Sequence, residues 1–254
     1  MHNHDQQVSQ QFSPVANAYL TSPVHAQGED LACLATVAEQ AQPARALDIG
    51  CGAGHAAFTV APFAGEVVAC DLSEAMLGVV AQAAVGRGLS NIRTQQAASQ
   101  SLPFADASFD LVCTRYSAHH WFDIPAALRE ARRVLKPDGQ FVLMDIMGAA
   151  TPVCDTWLQA IELLRDPSHV RDLNKAEWRA AVLAAGFSIE GVRIRRVRLD
   201  FASWVARMRT PEVNVAAIKS LLSGASAEVR EYLQLEDDFS FSPESMVLVA
   251  GGVD

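Results

Sequence analysis

The 254-residue sequence lacks any cysteine pattern that indicates a disulfide framework or a zinc site. Its five cysteines are odd in number and widely separated, and none forms a C-x-x-C pair. A reduced cysteine in an apolar segment behaves as a small hydrophobic residue. We therefore expect free thiols and a reducing compartment, for which the cytoplasm is the simplest choice.

Long apolar runs and clustered positive charge are also missing. No run approaches the ~18 apolar residues that span a membrane, and the polar residues 1–11 do not resemble a signal peptide. Twenty Lys and Arg residues against 29 Asp and Glu residues give a formal net charge of −9. Nucleic acids and anionic membrane surfaces attract clustered positive charge, so neither is expected as a partner.

Half of the residues are hydrophobic, which is ample for a packed core. The first 45 residues have helical patterns. Short apolar runs then predict strands over residues 45–49, 66–70, 91–94, 109–114 and 140–146. Helical patterns separate them, for example over residues 74–85 after a capping Ser73. Strands that alternate with helices indicate a mainly parallel α/β sheet, which binds ligands at the C-terminal ends of its strands.

The second half of the sequence has a looser pattern. The predictions after residue 147 are a helix over 154–165, a helix opened by a capping box at 174–177 and ended by Gly186, a strand over 187–201, a helix with Pro211 in its first position, and a strand over 246–250. No repeat or linker interrupts the chain. One domain with helical additions is the simplest interpretation.

The sharpest local signal is the segment 46–54, Ala-Leu-Asp-Ile-Gly-Cys-Gly-Ala-Gly, between a predicted strand and a helical pattern. Its glycines permit positive φ and carry no Cβ, so a ligand can lie against the backbone. Asp48 ends the strand and offers a carboxylate to a cationic group. Asp71 ends the next predicted strand, where an acid can accept both hydroxyls of a ribose.

Two ligand classes fit this turn. A dinucleotide is compatible with a G-x-G-x-x-A pattern that starts at Gly52 and ends at Ala57. A pyrophosphate, however, prefers a helix N-terminus without a carboxylate nearby, whereas the ammonium and sulfonium groups of S-adenosylmethionine favour one. Asp48 therefore favours S-adenosylmethionine. A third interpretation is an ordinary corner in which Asp48 only caps the helix.

Several motifs in fixed order resemble the class I S-adenosylmethionine-dependent methyltransferases. They are residues 47–54 (LDIGCGAG), Asp71, 101–104 (SLPF), 108–112 (SFDLV) and 134–139 (VLKPDG). The sequence is most similar to the UbiE-like branch, and within it to the YafE-like group of bacterial methyltransferases. Residues 115–121 (RYSAHHW) and 203–211 (SWVARMRTP) extend this likeness through most of the chain.

The resemblance implies a Rossmann-like α/β sheet of seven strands, the last one antiparallel, with helical lid elements. It implies one methyltransferase domain over residues 1–254. Within it, residues 1–44 would form an N-terminal helical lid and residues 45–147 the cofactor-binding core. Residues 148–254 would supply helices that cover the substrate. S-adenosyl-L-methionine is the implied cofactor, and S-adenosyl-L-homocysteine its product.

The resemblance also implies roles for individual residues. The residues implied to hold the methionine part of the cofactor are Asp48, Gly50, Cys51, Gly52 and Gly54. Asp71 would bind the ribose, Leu72 and Met76 would flank the adenine, and Arg115 would contact the cofactor at the end of the fourth strand. Ala98 stands where the family usually has an acid for the adenine amino group, so the backbone of Ala98 and the side chain of Ser99 are expected to take that part.

Three N-terminal residues, Phe12, Tyr19 and His25, fall where related enzymes place a lid over the cofactor carboxylate. Phe12 and Tyr19 equally suit the packing of a helix on the sheet. These two interpretations stay open at the level of sequence.

The residues after the fourth strand are the candidates for catalysis. Methyl transfer is an in-line displacement that mainly requires alignment of the acceptor at about 3–3.5 Å in a dry pocket. A base helps when the acceptor is a phenol or an activated carbon, and His119 or His120 is the candidate, with Tyr116 or Arg115 orienting the acceptor. Alternatively, one histidine caps the next helix and Trp121 packs in the core. No metal site is expected, because neighbouring strand-like residues point apart.

Other polar and aromatic residues allow two interpretations each. Arg193, Arg195, Arg196 and Arg198 either face an anionic acceptor or pair with nearby acids. Trp157, Trp178 and Trp204 either line the pocket or pack in the core.

The predicted function is methylation of a small molecule on carbon or oxygen, with a quinone-like or phenolic acceptor. The alternatives are a non-catalytic S-adenosylmethionine-binding protein and an NAD(P)-dependent oxidoreductase. A nucleic-acid methyltransferase is disfavoured, because residues 114–117 (TRYS) lack the Asn/Asp-Pro-Pro-aromatic motif of base amino-group methylation. The sequence is compatible with a monomer or a homodimer.

Overall fold

The computed structural model describes residues 3–20 and 26–252, except the side chain of Asn17. Within these residues, seven strands form one sheet. They are β1 (Arg45–Ile49), β2 (Glu66–Asp71), β3 (Ile92–Gln96), β4 (Phe109–Arg115), β5 (Leu135–Ile146), β6 (Phe187–Arg196) and β7 (Glu244–Gly252). Their order in the sheet is β3-β2-β1-β4-β5-β7-β6, and β7 runs antiparallel to both of its neighbours.

Helices connect and cover these strands. In the described part of the chain they are α1 (His4–Phe12), α2 (Ala16–Leu20), α3 (Glu29–Ala41), α4 (His55–Val60), α5 (Glu74–Gly86), α6 (Ile124–Val134), α7 (Pro152–Arg165), α8 (Lys175–Ala184), α9 (Phe201–Arg207), α10 (Glu212–Ser223) and α11 (Ala227–Leu233). Not one of the helices in the described ranges has the length and apolar character to cross a membrane.

The predicted sheet is confirmed, including its antiparallel last strand. Several predicted boundaries are wrong. Strand β5 begins at Leu135 rather than at residue 140, and β3 ends at Gln96 rather than at residue 94. The strand predicted over 187–201 ends at Arg196, because Asp200 accepts a hydrogen bond from the amide of Ser203 at 2.9 Å and thereby starts α9. Pro211 is the N-cap of α10 rather than its first helical residue, since its backbone is extended.

Both faces of the sheet are covered by apolar side chains. On one face, Leu47 and Phe141 lie in a cluster with Leu128 of α6 and Trp178 of α8. On the other face, strand residues such as Val142 pack with α3, α4 and α5. Full burial of one such large side chain contributes about 1.5–3 kcal/mol. These two layers fix the strands, and with them the loops at the strand ends.

A third apolar cluster lies above the C-terminal end of β5. It joins Ile146 of that strand to Leu158 of α7, Trp204 of α9 and Ile218 of α10. Strands β1 to β5 are parallel, so the loops that follow them meet at this same edge. The C-terminal helices therefore cover the edge at which a parallel sheet binds ligands.

Candidate functional site

The glycine-rich turn after β1 combines positive φ angles with close packing. Gly50, Gly52 and Gly54 have φ angles of +65°, +49° and +88°. A Cβ at Gly50 would collide with the Ser117 hydroxyl, whereas a Cβ at Gly52 would meet no atom within 4 Å. A Cβ at Gly54 would lie 2.9 Å from Phe58. Gly52 thus borders open space, while Gly50 and Gly54 permit the close approach of neighbouring elements.

Asp71 braces this turn from the end of β2. Its carboxylate accepts hydrogen bonds from the amides of Gly52 and Ser73, both at 2.8 Å. Burial raises the pKa of Asp71, and these amides oppose the rise. The carboxylate is therefore fixed in position at the border of the turn.

Asp48 is the more deeply buried acid of the pair. Its side chain is 1% exposed, and Oδ2 accepts a hydrogen bond from the Ala57 amide of α4 at 3.0 Å. Oδ1 is buried and makes no hydrogen bond of ordinary geometry with the described residues. Burial raises the pKa of Asp48 to about 7, although the Ala57 amide lowers it. Asp48 does cap α4, and its second oxygen is a buried acceptor whose negative charge a nearby cation would stabilise.

These residues border a cleft of about 940 Å³ at the C-terminal ends of β1, β2 and β4. The predicted cofactor residues that line it are Tyr19, Asp48, Gly50, Cys51, Gly52, Asp71, Leu72, Met76, Ser99 and Arg115. The predicted catalytic residues Tyr116 and His120 line it as well. One cleft thus brings together residues that are up to about 100 positions apart in the sequence.

Three of the predicted site residues that the structure describes do not line this cleft. Gly54 and Ala98 are absent from its described walls, and His119 lines a neighbouring cavity. The carbonyl oxygen of Ala98 accepts a hydrogen bond from the Ser101 amide at 3.0 Å. His25 lies outside the described residues.

Besides the predicted Phe12, helix α1 brings residues to the cleft that were not predicted from the sequence. Asp5 and Val8 of this helix line it, together with Gln100 and Phe122. An Asn3 side chain caps α1 in a reciprocal capping box with Gln6. The Asn-x-x-Gln spacing was the available signal for this helix.

Arg115 and Tyr116 are held by a buried ion-pair network. Arg115 Nε donates to Asp30 Oδ2 at 2.6 Å, and Arg195 Nη2 lies 2.7 Å from Asp30 Oδ1. Arg195 Nη2 also donates to the Tyr116 hydroxyl at 3.0 Å. Tyr116 has a φ of +49°, which is strained for a non-glycine residue, so these bonds support an unfavourable backbone. Both side chains therefore present fixed surfaces to the cleft.

The paired arrangement of the arginines on and after β6 is confirmed for three of the four positions. Arg195 contacts Asp30, Arg196 lies 3.8 Å from Glu244, and Arg198 lies 2.6 Å from Glu236. For the tryptophans, the two interpretations were packing in the core and lining of the pocket. Trp178 packs in the core. Trp204 packs in the third apolar cluster and also lines the second cavity, whereas Trp157 packs against that cluster.

The second cavity, of about 560 Å³, adjoins the cleft. Phe12, Tyr19, Tyr116 and His120 line both spaces and form their common wall. The other residues of the second cavity are the apolar Ile146, Val197, Leu199 and Trp204 and the polar His119, Glu162, Arg165, Asp172 and Arg207. A mainly apolar molecule with a polar group would find matching surfaces there.

His119 forms an ion pair with Asp145 at the border of this cavity. Its Nδ1 lies 2.6 Å from Asp145 Oδ1. Burial disfavours the charged imidazolium. The charge and hydrogen bond of Asp145, together with the charges of Asp172 and Glu162, outweigh burial and raise the pKa of His119 to about 9. His119 is therefore charged at neutral pH.

His120 has the opposite electrostatic character. Burial and the neighbouring His119 lower the pKa of His120 to about 4, so its ring is neutral at pH 7. Its Nδ1 lies 3.1 Å from the carbonyl oxygen of Ser168. The helix-capping alternative for the histidines is wrong, because Asp123 caps α6 by accepting a hydrogen bond from the Ala126 amide at 2.9 Å. Trp121 does pack in the core, as the alternative predicted.

One group of side chains in the described ranges has metal-ligand chemistry. His119, Asp145 and Asp172 offer atoms within 4.8 Å of one another. The 2.6 Å separation of His119 Nδ1 and Asp145 Oδ1 is that of a short hydrogen bond and leaves no space for an ion between them. We therefore interpret this group as an ion pair with a neighbouring acid.

The geometry fits a cationic nucleoside. The open backbone at Gly52 can approach a ligand closely, the unsatisfied Asp48 oxygen favours positive charge, and Asp71 is placed for a ribose. Such a turn and acid pair on this sheet define an S-adenosylmethionine-binding α/β protein.

Comparisons with known proteins support this class of protein. A family model described as "Methyltransferase domain" matches residues 47–143. YafE, an uncharacterised protein of Escherichia coli, is 48% identical over 78% of this chain and 95% of its own. The methyltransferase YcgJ of Bacillus subtilis is 37% identical over 94% of each chain. The crystal structure of YcgJ superposes with a TM-score of 0.85, covering 89% of this chain and 99% of the other.

The chain belongs to the class I S-adenosylmethionine-dependent methyltransferases, in the family that includes YafE and YcgJ. The resemblance described from sequence is thus confirmed, and S-adenosylmethionine is the cofactor. UbiE of Brucella anthropi, a ubiquinone/menaquinone biosynthesis C-methyltransferase, is a more distant relative. It is 34% identical over 56% of this chain and 55% of its own.

Proposed function

We propose that this enzyme methylates a small, mainly apolar molecule that binds in the second cavity. The observation that carries the proposal is the common wall of the two spaces, formed by Phe12, Tyr19, Tyr116 and His120. A cofactor in the cleft and an acceptor in the second cavity would meet at this wall. Such juxtaposition supplies the alignment that an in-line displacement requires.

In this proposal the N-terminal residues 1–44 act as the lid, residues 45–147 hold the cofactor, and residues 148–254 cover the acceptor. The turn at Gly50, Cys51 and Gly52 holds the methionine part, with Asp48 near its positive charge. Asp71 binds the ribose hydroxyls. The role of His25 in the lid remains a prediction from the resemblance.

S-adenosylmethionine supplies an electrophilic methyl group on a sulfonium. The chain's own residues must then manage the proton and the charge of the acceptor. A phenolic or enolic acceptor loses one proton as its oxygen or carbon gains the methyl group. His120 is neutral at pH 7 and lines both spaces, so it is placed to take that proton.

His119 has a different role in this scheme. As a buried imidazolium paired with Asp145, it stabilises negative charge on the acceptor oxygen. Tyr116 and Arg115, fixed by Asp30 and Arg195, limit how the acceptor lies. The apolar walls exclude water from the reacting groups.

The second cavity and the relatives support one kind of acceptor. Ile146, Val197, Leu199 and Trp204 suit an apolar or aromatic body. The likeness to UbiE, a quinone C-methyltransferase by name, supports a phenolic or quinone-like ring. Methylation on oxygen and on carbon both agree with a base at this position.

Transfer of a labelled methyl group tests the proposal. The purified enzyme, S-adenosylmethionine with a labelled methyl group, and a panel of phenols, quinols and enols are incubated, and products are separated by mass. Methylated product from the panel is expected. Tight binding of S-adenosylhomocysteine without transfer to the panel or to a metabolite extract would instead support a non-catalytic binder. Micromolar binding of NAD without binding of S-adenosylhomocysteine would support an oxidoreductase.

A further inference from the structure

The end of the cleft that Ser99 and Gln100 line has no acid from the loop after β3 among the described residues. Ala98 offers no side-chain acceptor, and its carbonyl oxygen already accepts a hydrogen bond from Ser101. Ser99 and Gln100 line this end, but both side chains are neutral. The sequence therefore leaves open which group accepts hydrogen bonds from the amino group of an adenine.

Helix α1 brings a carboxylate to this end of the cleft. Asp5 lies in the first turn of α1 and lines the cleft beside Gln100. The Gln100 side-chain amide donates to Asp5 Oδ2 at 3.1 Å. Oδ1 of Asp5 has no hydrogen-bond partner in the described ranges 3–20 and 26–252. One carboxylate oxygen is thus held in place, and the other is available to a ligand.

The position of α1 along the cleft is fixed at several points. Near the end of the helix, the hydroxyls of Ser13 and Ser73 lie 2.9 Å apart, next to Leu72. Near its start, His4 Nε2 lies 2.9 Å from the carbonyl oxygen of His120. Gln7 Nε2 donates to the carbonyl oxygen of Pro167 at 2.7 Å. The helix therefore extends along the cleft from Gln100 toward Leu72 and Ser73.

Three described acids line the cleft, and each has a distinct location. Asp48 and Asp71 lie at the glycine-rich turn, whereas Asp5 lies on α1 beside Gln100. A nucleoside with its ribose at Asp71 and its base beside Leu72 and Met76 would extend toward Asp5. The 6-amino group of adenine is a donor, and a hydrogen bond to a carboxylate is about twice as strong as one between neutral groups.

We propose that Asp5 accepts a hydrogen bond from the adenine amino group, so that α1 completes the cofactor site and selects an adenine base. This inference rests on the proposed placement of the ribose at Asp71. Gln100 is a positioning residue, since it acts through Asp5. The N-terminal helix then contributes to cofactor specificity in addition to closing the cleft.

Isothermal titration with two ligands tests the role of Asp5. S-adenosyl-L-homocysteine carries the 6-amino donor, whereas S-inosyl-L-homocysteine carries a 6-oxo acceptor that a carboxylate repels. The wild-type enzyme is expected to prefer the adenosyl compound. Asp5→Asn presents an amide that can donate to the 6-oxo group, so the preference should fall at least about tenfold. Gln100→Ala should reduce the preference in the same direction and by less.

A matched control separates recognition from helix stability. Glu212→Gln removes an exposed acid from the first turn of α10, and Glu212 is not among the residues that line the cleft. It should leave the preference unchanged. If Asp5→Asn weakens both ligands equally, or changes neither, Asp5 does not read the base and the inference is overturned. If the wild-type enzyme binds neither ligand, the proposed function fails together with this inference.

Discussion

The ion pair between His119 and Asp145 should add a pH-dependent contribution to the free energy of unfolding, and Asp145→Asn should remove most of that contribution. The pair raises the pKa of His119 from 6.5 to about 9. At about 1.36 kcal/mol per pKa unit, this rise corresponds to about 3 kcal/mol of stabilisation. The His119 side chain is only 13% exposed, so solvent screening reduces the value little.

The sign follows from the direction of the pKa change. His119 is charged in both the folded and the unfolded protein below pH 6.5, so the ion pair contributes in full there. Above pH 6.5 the unfolded protein loses the His119 proton while the folded protein still holds it, so the contribution decreases as the pH rises. Above about pH 9 His119 is neutral in the folded protein as well, and the contribution is lost. The destabilisation by Asp145→Asn should therefore be about 3 kcal/mol at pH 6 and much smaller at pH 10.

Urea unfolding at pH 6 and pH 10 measures this difference. Asp138→Asn is the matched control, because Asp138 is exposed and the same substitution there should cost less than about 0.5 kcal/mol at either pH. NMR titration of the His119 ring gives its pKa directly. If Asp145→Asn destabilises the protein equally at both pH values, the electrostatic account of this pair is refuted.

Three further predictions concern the cleft. Asp71→Ala should weaken the binding of S-adenosylhomocysteine by about 1–3 kcal/mol in isothermal titration, and an unchanged dissociation constant would contradict the ribose assignment. Gly52→Ala and Gly88→Ala place a Cβ in open space at similar positive φ angles, +49° and +71°, so both should lose about 1 kcal/mol of stability. Only Gly52→Ala should weaken cofactor binding, because only Gly52 lines the cleft. If both variants bind the cofactor equally well, the cofactor does not lie against the backbone of Gly52. His120→Ala should lower turnover while the affinity for the cofactor stays near normal. In the wild-type enzyme, kcat/KM should decrease below about pH 4, where His120 is charged, and above about pH 9, where His119 is neutral. Normal turnover by both His119→Ala and His120→Ala would exclude a role for either ring.

The sheet and the cofactor turn were predictable because their signals are local. The run 45–49 and the glycines that follow it specify a strand and a turn within ten residues. The capping box at Asn174 likewise predicted α8, which has that box. The end of β6 was predicted too late, because the alternation of apolar and polar residues continues beyond Arg196. That alternation does not reveal that Asp200 caps the next helix.

The contacts that shape the site were not predictable because they join distant positions. Asp30 and Arg115 are 85 residues apart, and His119 and Asp145 are 26 residues apart on different elements. Polar residues with these spacings occur in many proteins, and only the packing of α3 and β5 against β4 brings them together. The second cavity has the same origin, since its walls come from α2, β5, α7 and α9.

Tyr19 links helix α2 to the end of α9 beside the ligand spaces. Its hydroxyl donates to the Met208 sulfur at 2.9 Å, and its ring faces both the cleft and the second cavity. Any ligand that displaces this ring changes the surface met by the other ligand. Such linkage is reciprocal, so each of the two reactants must alter the affinity for its counterpart by the same factor.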